Sequence, residues 1–479
     1  MTLRSAEEYK KGLLDDRVIY LLGKKVTDVT EDPYIKVGVE TGAFDYLMSH
    51  DPKMQEIAVT KDAETGEDVS RYFDIPDTPE AVNTRHNLVK EACYYTDGAL
   101  PFIKDVGSDI INGITAVAKI MGNKDYIERI NNYRKYCARN DLSIGGCVTD
   151  VKGDRSKGPS EQSSPDYYLR VVDETEDEIV VSGAKAHITA GPYVDELLVI
   201  PTRNMSEAEK DYAVSFAIPA DTKGITQICR PNFRYEDSYH FPTPRHKRGH
   251  VESLVIFDNV RVPKERVFLL REWQSAQYMA YAFSAFHRFT AVTYKIPIIE
   301  FMTGLGMLVA DANGITKASH VREQFIQMIN YTETLKSHAA AAIADPEDFG
   351  GSGLFVANRL RSNLAKLHFS EGFHQFVRCI QDLAGGLLVT QPTYQDWKHP
   401  ELHPYLEKYM GGAGNYNSEE RLKLMSYLHH MVASDFAGWH EVCTIHAEGS
   451  SAAQKMMLFS EAPIKMYKKH ASDVLGLNI

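Results

Sequence analysis

Two polar, glycine-rich passages carry the residue types from which a ligand cradle is built. The first runs Gly145-Gly146-Cys147-Val148-Thr149-Asp150-Val151-Lys152-Gly153-Asp154-Arg155-Ser156-Lys157. Its backbone amides and the Thr149 hydroxyl could bond the rim of a planar cofactor, while Lys152, Arg155 and Lys157 could meet phosphate groups. The same composition also describes a solvated interdomain loop. The second, Ser182-Gly183-Ala184-Lys185-Ala186-His187-Ile188-Thr189-Ala190-Gly191, has small residues that permit close backbone approach to a flat ring, and reads equally as a tight turn showing Lys185 and His187 to solvent. Three carboxylates could carry protons: Glu252 ahead of a β-branched run, and Glu441 and Glu448 around the segment WHEVCTIHAEG. Each also fits an ordinary ion-paired residue, the commoner role.

The elements that must position these residues follow from periodicity. Up to about residue 140, stretches such as PEAVNTRHNLVKEACYYTD place apolar residues three and four apart, which predicts an N-terminal helical domain over 1–140. From 141 to 271 short β-branched runs alternate with turn residues (YYLRVVDE, EIVVSGAKAHI, ELLVIPT, YAVSFAIP, SLVIFDNVRVP) and predict a small antiparallel β-domain. Long apolar-periodic stretches return over 272–479, broken at FGGSG, AGG and MGGAG, as a C-terminal helical bundle. The class is α+β.

Composition narrows the function. A chain of 479 residues, 43% hydrophobic and 25% charged, is long enough for two or three packed layers. With 53 basic against 65 acidic residues the net charge is −12, and no Lys/Arg block offsets it, which disfavours nucleic-acid binding. The start MTLRSAEEYKKGLL has no signal-peptide apolar region, and no run of 18 apolar residues predicts a membrane span, so a cytoplasmic location is expected. Six cysteines without C-x-x-C spacing argue against a disulfide framework or a local zinc site. There is no G-x-G-x-x-G after a strand and no P-loop, so a dinucleotide would need another scaffold.

The stretches TDVKGDRSKGPSEQ, YYLRVV, VVSGAKAHIT and ESLVIFDNVRVPKERVFL, with AGGLLVTQPT and HAEGSSAAQ further on, resemble the 4-hydroxybutyryl-CoA dehydratase and vinylacetyl-CoA isomerase family. A more distant resemblance runs to the FADH2-using 4-hydroxyphenylacetate 3-monooxygenases. The resemblance implies an acyl-CoA-dehydrogenase-like fold and extended FAD between β-domain and bundle, in a homotetramer or dimer whose neighbouring subunit completes the site. It makes Cys147, Val148, Thr149, Lys152, Asp154, Arg155, Lys185 and Thr189 the cofactor-contacting set.

The resembled dehydratases also hold a [4Fe-4S] cluster on three cysteines and a histidine. Cys93 and His287 match two of those positions, while Asp97 and Tyr294 stand where thiolates are expected. Oxygen donors are harder and weaker ligands for a cubane cluster than thiolates, so none is expected here. Dehydration then loses its electrophile, while isomerisation or redox next to a thioester carbonyl needs only a positioned acid and base with flavin. On this reading His287 shuttles a proton, Tyr294 and Lys295 polarise the substrate, and Glu252 is a further candidate. The expected substrate is a CoA thioester or similarly activated acid. One alternative is a two-component FADH2-dependent phenol monooxygenase served by a flavin reductase; another is a catalytically silent flavin-fold binding protein.

Overall fold

The computed structural model describes residues 3–96, 98–231, 239–243 and 248–477. Asp97 lies outside them. Three helices dominate the first part: α1 (Pro79–Tyr95), α2 (Asp105–Met121) and α3 (Lys124–Arg139). Their limits are written locally. Thr78 caps α1 ahead of Pro79, whose fixed φ suits a first helical turn; α2 stops at Gly122 with φ 66°, and the Asn123 side chain accepts from Tyr126 N to start α3.

The middle of the chain forms two sheets. Ten strands build them: β1 (Ile19–Leu21), β2 (Lys24–Val26), β3 (Ile144–Cys147), β4 (Arg170–Glu174), β5 (Glu178–Thr189), β6 (Glu196–Val199), β7 (Val214–Pro219), β8 (Ile225–Arg230), β9 (Glu252–Pro263) and β10 (Val267–Leu270). The larger sheet has the order β2-β1-β8-β9-β5-β4 and the smaller β10-β7-β6-β3. Most pairs are antiparallel, as the sequence predicts, but β1–β8 and β3–β6 run parallel. The first segment is also not purely helical, because its β-branched Ile19 and neighbours extend into the larger sheet. The register Glu252↔Thr189 sets two candidate residues side by side.

The C-terminal part is a bundle around α4 (Trp273–Ala312), with α5 (Ser319–Ile343), α6 (Arg359–Ala384), α7 (Ser418–Val432), α8 (Asp435–His446), α9 (Ser451–Glu461) and α10 (Ile464–Leu475). Every residue of α4 from Ala285 to Ile299 is buried. By length and mean hydropathy α4 could cross a membrane, yet 72% of its most apolar window is packed inside the protein. It carries His287, Arg288, Tyr294 and Lys295 in that sheath, and buried charge of this kind must be paired.

Candidate functional site

The pairing is supplied by Glu448, just past the end of α8. The Tyr294 hydroxyl donates to Glu448 Oε1 at 2.6 Å, and Lys295 Nζ donates to Oε2 at 2.9 Å. Lys366 of α6 approaches the same Oε2 at 3.2 Å and donates to the carbonyls of Thr444 and Ile445, capping the last turn of α8. Glu448 itself sits at φ 59°, a left-handed conformation rare for residues other than glycine, and Arg288 pins its carbonyl at 3.0 Å. Burial opposes the Glu448 charge, but the ammoniums of Lys295 and Lys366, with His287 and the Tyr294 hydroxyl, hold its carboxyl well below the usual range. Burial and the neighbouring Lys295 bring Lys366 down to about 7. The Tyr294 hydrogen is thus spent on Glu448, so Tyr294 reaches a substrate as donor only by leaving that carboxylate.

His287, about two turns away on α4, places Nδ1 3.0 Å from Asp109 Oδ2 on α2, and Arg85 of α1 holds the other oxygen at 2.7 Å. Against burial, this carboxylate raises the imidazole above its ordinary pKa. The Cys93 thiol donates to the Tyr294 carbonyl at 3.4 Å, so Cys93 and the tyrosine that stands where a thiolate is expected are neighbours, and only Cys93 bears sulfur.

A second group enters from the sheet. The Thr189 hydroxyl lies 2.9 and 3.0 Å from the two carboxylate oxygens of Glu252, whose burial lifts its carboxyl to about 7. His250 Nε2 is 3.8 Å from Glu252 Oε1, and the Cys443 thiol of α8 joins them. Burial, with His440 nearby, lowers the His250 imidazole to about 3. The Phe102 ring packs on His250 at 4.7 Å and edge-on to Tyr294 at 5.2 Å between centroids, so sheet and bundle groups share one wall.

The glycine-rich passages divide. Lys185 does not face outward: its buried ammonium donates to the carbonyls of Val148 and Ile200, both at 3.0 Å, and pairs with Asp150 at 2.8 Å, fixing the loop from within. Cys147 is sealed in β3, its thiol pushed up to about 12 by burial. Thr149 is half-buried, its carbonyl taking the Ala186 amide. Lys152 and Arg155 line a cavity of about 860 Å³ with Arg203, Tyr168, Thr202 and Trp273. Asp154 is exposed and accepts from Ser156. The space beside Gly183 is filled by the Leu169 backbone and that beside Gly191 by Ser253 and Gln227, so these glycines serve chain packing and not the approach of a ring. Glu441 pairs with the exposed His374.

Comparison with known proteins matches almost the whole chain to one family. The model of the 4-hydroxyphenylacetate 3-hydroxylase N-terminal part covers residues 5–269, and that of its C-terminal part covers 276–476. The chain belongs to the 4-hydroxyphenylacetate 3-hydroxylase family. Within it, the chain is 31% identical to the 4-hydroxybutyryl-CoA dehydratase/vinylacetyl-CoA-Delta-isomerase of Clostridium aminobutyricum, over 99% of this chain and 100% of that protein. It is 29% identical, over 88% and 87%, to the 4-hydroxyphenylacetate 3-monooxygenase oxygenase component of Thermus thermophilus. Among solved structures, an oxygen-tolerant archaeal 4-hydroxybutyryl-CoA dehydratase from N. maritimus superposes with a TM-score of 0.92 at 29% identity, covering 100% and 96% of the two chains. The oxygenase HpaB complexed with FAD and 4-hydroxyphenylacetate gives 0.90 at 27% identity, covering 99% and 98%. The fold order read from the sequence, and the resemblance to the dehydratase family, stand on these findings, and the chain is an enzyme of the flavin-dependent kind.

Several residues of the site were not singled out from the sequence. Asp109 stood in view as a lone carboxylate in the apolar run VGSDIINGI, but Lys366 looks like any polar residue of an amphipathic helix, and His250 and Cys443 come together only through the fold.

Proposed function

We propose that this chain is a cytoplasmic FAD enzyme acting on an acyl-CoA or similarly activated acid, by isomerisation, elimination or redox at carbons next to the carbonyl, without a [4Fe-4S] cluster. The observation that carries the reading is a pair of carboxyls, Glu448 buried and Glu252 part-buried, that both act on the Cys443 thiol and are tuned in opposite directions. Glu448 is held charged by two lysines, and Glu252, near neutrality, can both take and give a proton. The dehydratase/isomerase relative at 31% identity supports the acyl-CoA class.

Thr149, Lys152, Arg155 and Thr189 are the residues that would hold FAD, with the cavity at Lys152 and Arg155 suited to phosphate. When bound, FAD supplies a transient electron sink beside the substrate carbon. The chain's own residues do the rest. Glu252, steadied by Thr189, moves the proton; Lys295 and Tyr294 present a fixed polar wall; Phe102 and Trp439 exclude water around His250. His287 with Asp109 is a second proton-holding pair. The donor set does not fit a [4Fe-4S] cluster: Cys93 and His287 match two of the four ligand positions, only Cys93 is a thiol, and the mismatched Tyr294 commits its hydroxyl to Glu448.

A homo-oligomer completes the reading. Met456, Phe459, Met466, Tyr467, Val474 and Leu475 on α9 and α10 are 56–74% exposed, an apolar face that a second copy would cover. All six cysteines are free thiols, which suits the cytoplasm.

The second reading, a phenol monooxygenase fed by a flavin reductase, is supported by the monooxygenase relatives at 29% and 25% identity. Anaerobic purification with flavin, iron and sulfide quantification, followed by assays on vinylacetyl-CoA without oxygen and on 4-hydroxyphenylacetate with oxygen and a reductase, separates them. Turnover of the thioester alone supports the first reading; oxygen-dependent hydroxylation alone replaces it. Stoichiometric iron and sulfide would remove the cluster-free claim.

A further inference from the structure

We infer that His250, Glu252 and Cys443 form a binding site for one divalent transition-metal ion of the Zn2+ or Fe2+ class. One ligand atom from each lies within 4.8 Å of the other two, although the residues are far apart in the chain: Glu252 opens β9, His250 lies two residues ahead of it, and Cys443 comes from α8 in the bundle. A tetrahedral ion holds its ligands roughly 3.3–3.8 Å apart, given bonds of about 2.0–2.3 Å, so the separations need to close by about 1–1.5 Å at most to gather the group around an ion.

The donor chemistry is selective. Imidazole nitrogen, carboxylate oxygen and thiolate sulfur together suit a borderline ion and suit magnesium or calcium poorly. The surroundings also resemble the support a metal ligand needs. Thr189 donates to the Glu252 carboxylate and orients it, and the His250 ring is held between Trp439 at 4.3 Å and Phe102 at 4.7 Å. On binding, the Cys443 thiol gives its proton to solvent, Glu252 and His250 bind unprotonated, and no electron moves. Three protein ligands leave a fourth position for water or substrate.

This site uses neither Cys93 nor His287, the residues that match cluster positions of the resembled dehydratases, and it stands on its own donors whether or not the flavin reading holds. Glu252 then has two exclusive states: proton carrier in the metal-free protein and ligand in the loaded one. An ion there also ties the larger sheet to the bundle, so binding stabilises the fold by mass action.

The test uses the full-length protein, stripped with chelator and titrated with Co2+. The expected result is one Co2+ per chain surviving gel filtration, with a thiolate-to-cobalt charge-transfer band and a raised melting temperature. Cys443→Ser should abolish the band and weaken binding at least tenfold, His250→Gln should weaken binding by a similar factor, and Cys93→Ser should leave both unchanged. Circular dichroism of each variant before metal addition establishes that it is folded. A band that persists in Cys443→Ser, a band lost in Cys93→Ser, or a wild-type protein that retains no Co2+ overturns the assignment.

Discussion

Glu448 and Lys295 meet at 2.9 Å with their side chains 3% and 0% exposed. Lys366 shares the same carboxylate, so Glu448 is the hinge of a three-charge group and Lys295 is one of its two supports. Removing one partner of a buried pair costs about 3–5 kcal/mol because the other is left uncompensated. Glu448→Gln strands two ammoniums and should fall in that range. Lys295→Met leaves Lys366 on the carboxylate and should cost less, about 1–3 kcal/mol. Denaturant unfolding of both variants checks the order, and equal losses would contradict the shared carboxylate.

The Glu252 carboxyl is raised in the folded protein, from 4.5 to about 7, by burial. A raised carboxyl stabilises the fold most when protonated, so this contribution is complete below 4.5 and is lost as pH rises through about 7. Glu252→Gln, a mimic of the protonated acid, should match wild type at low pH and become the more stable protein as pH climbs from about 5 to about 8. Melting curves across that range test it; a constant gap between the two proteins would mean that Glu252 does not titrate there.

Asp109 raises the His287 imidazole through a direct bond. Replacing it with asparagine removes the countercharge and lowers the imidazole pKa. Any rate that depends on protonated His287 should therefore fall away at lower pH in Asp109→Asn than in the wild type. Comparison of pH–rate profiles decides, and coincident limbs would sever His287 from the chemistry.

Lys185 holds the Val148 and Ile200 carbonyls and Asp150 from inside the fold. Lys185→Met should let the Thr149 to Arg155 loop drift and weaken FAD binding about tenfold or more, with a stability loss of about 3 kcal/mol from the orphaned Asp150. Fluorescence titration with FAD beside thermal melts separates the two effects. Undiminished affinity in a destabilised variant would show that the loop does not touch the cofactor.

Phe459 and Met456 stand out on α9 at 74% and 73% exposure. Charging both to glutamate should lower the assembly mass measured by light scattering, with little change in helix content. An unchanged mass places the subunit contact elsewhere.

Much of the fold was legible because its signals are local. The α1 and α2 boundaries follow from Thr78, Pro79 and Gly122, and the alternating strands around Glu252 and Thr189 follow from β-branched runs. The site was legible where one element carries it, as with His287, Tyr294 and Lys295 on α4. It was opaque where charge from distant helices converges: Lys366 and Glu448 are joined only by tertiary packing, and neither residue's burial is written in its neighbours in sequence. Lys185 shows the converse error. A lysine among glycines reads as outward-facing, yet here it satisfies carbonyls that the fold turns inward.

The parallel pairing of β1 with β8 has a consequence for how the chain can be made and divided. Ile19, Tyr20 and Leu21 align with Gln227, Ile228 and Cys229, so on the ribosome the first strand waits for some two hundred further residues before its partner emerges. A fragment begun after residue 140 would leave the β8 edge unpaired, with its backbone donors and acceptors open to other chains. Expressing the middle of the molecule alone is thus an invitation to aggregation, and the first strand acts as a seam that makes the helical and sheet portions a single unit of synthesis and inheritance.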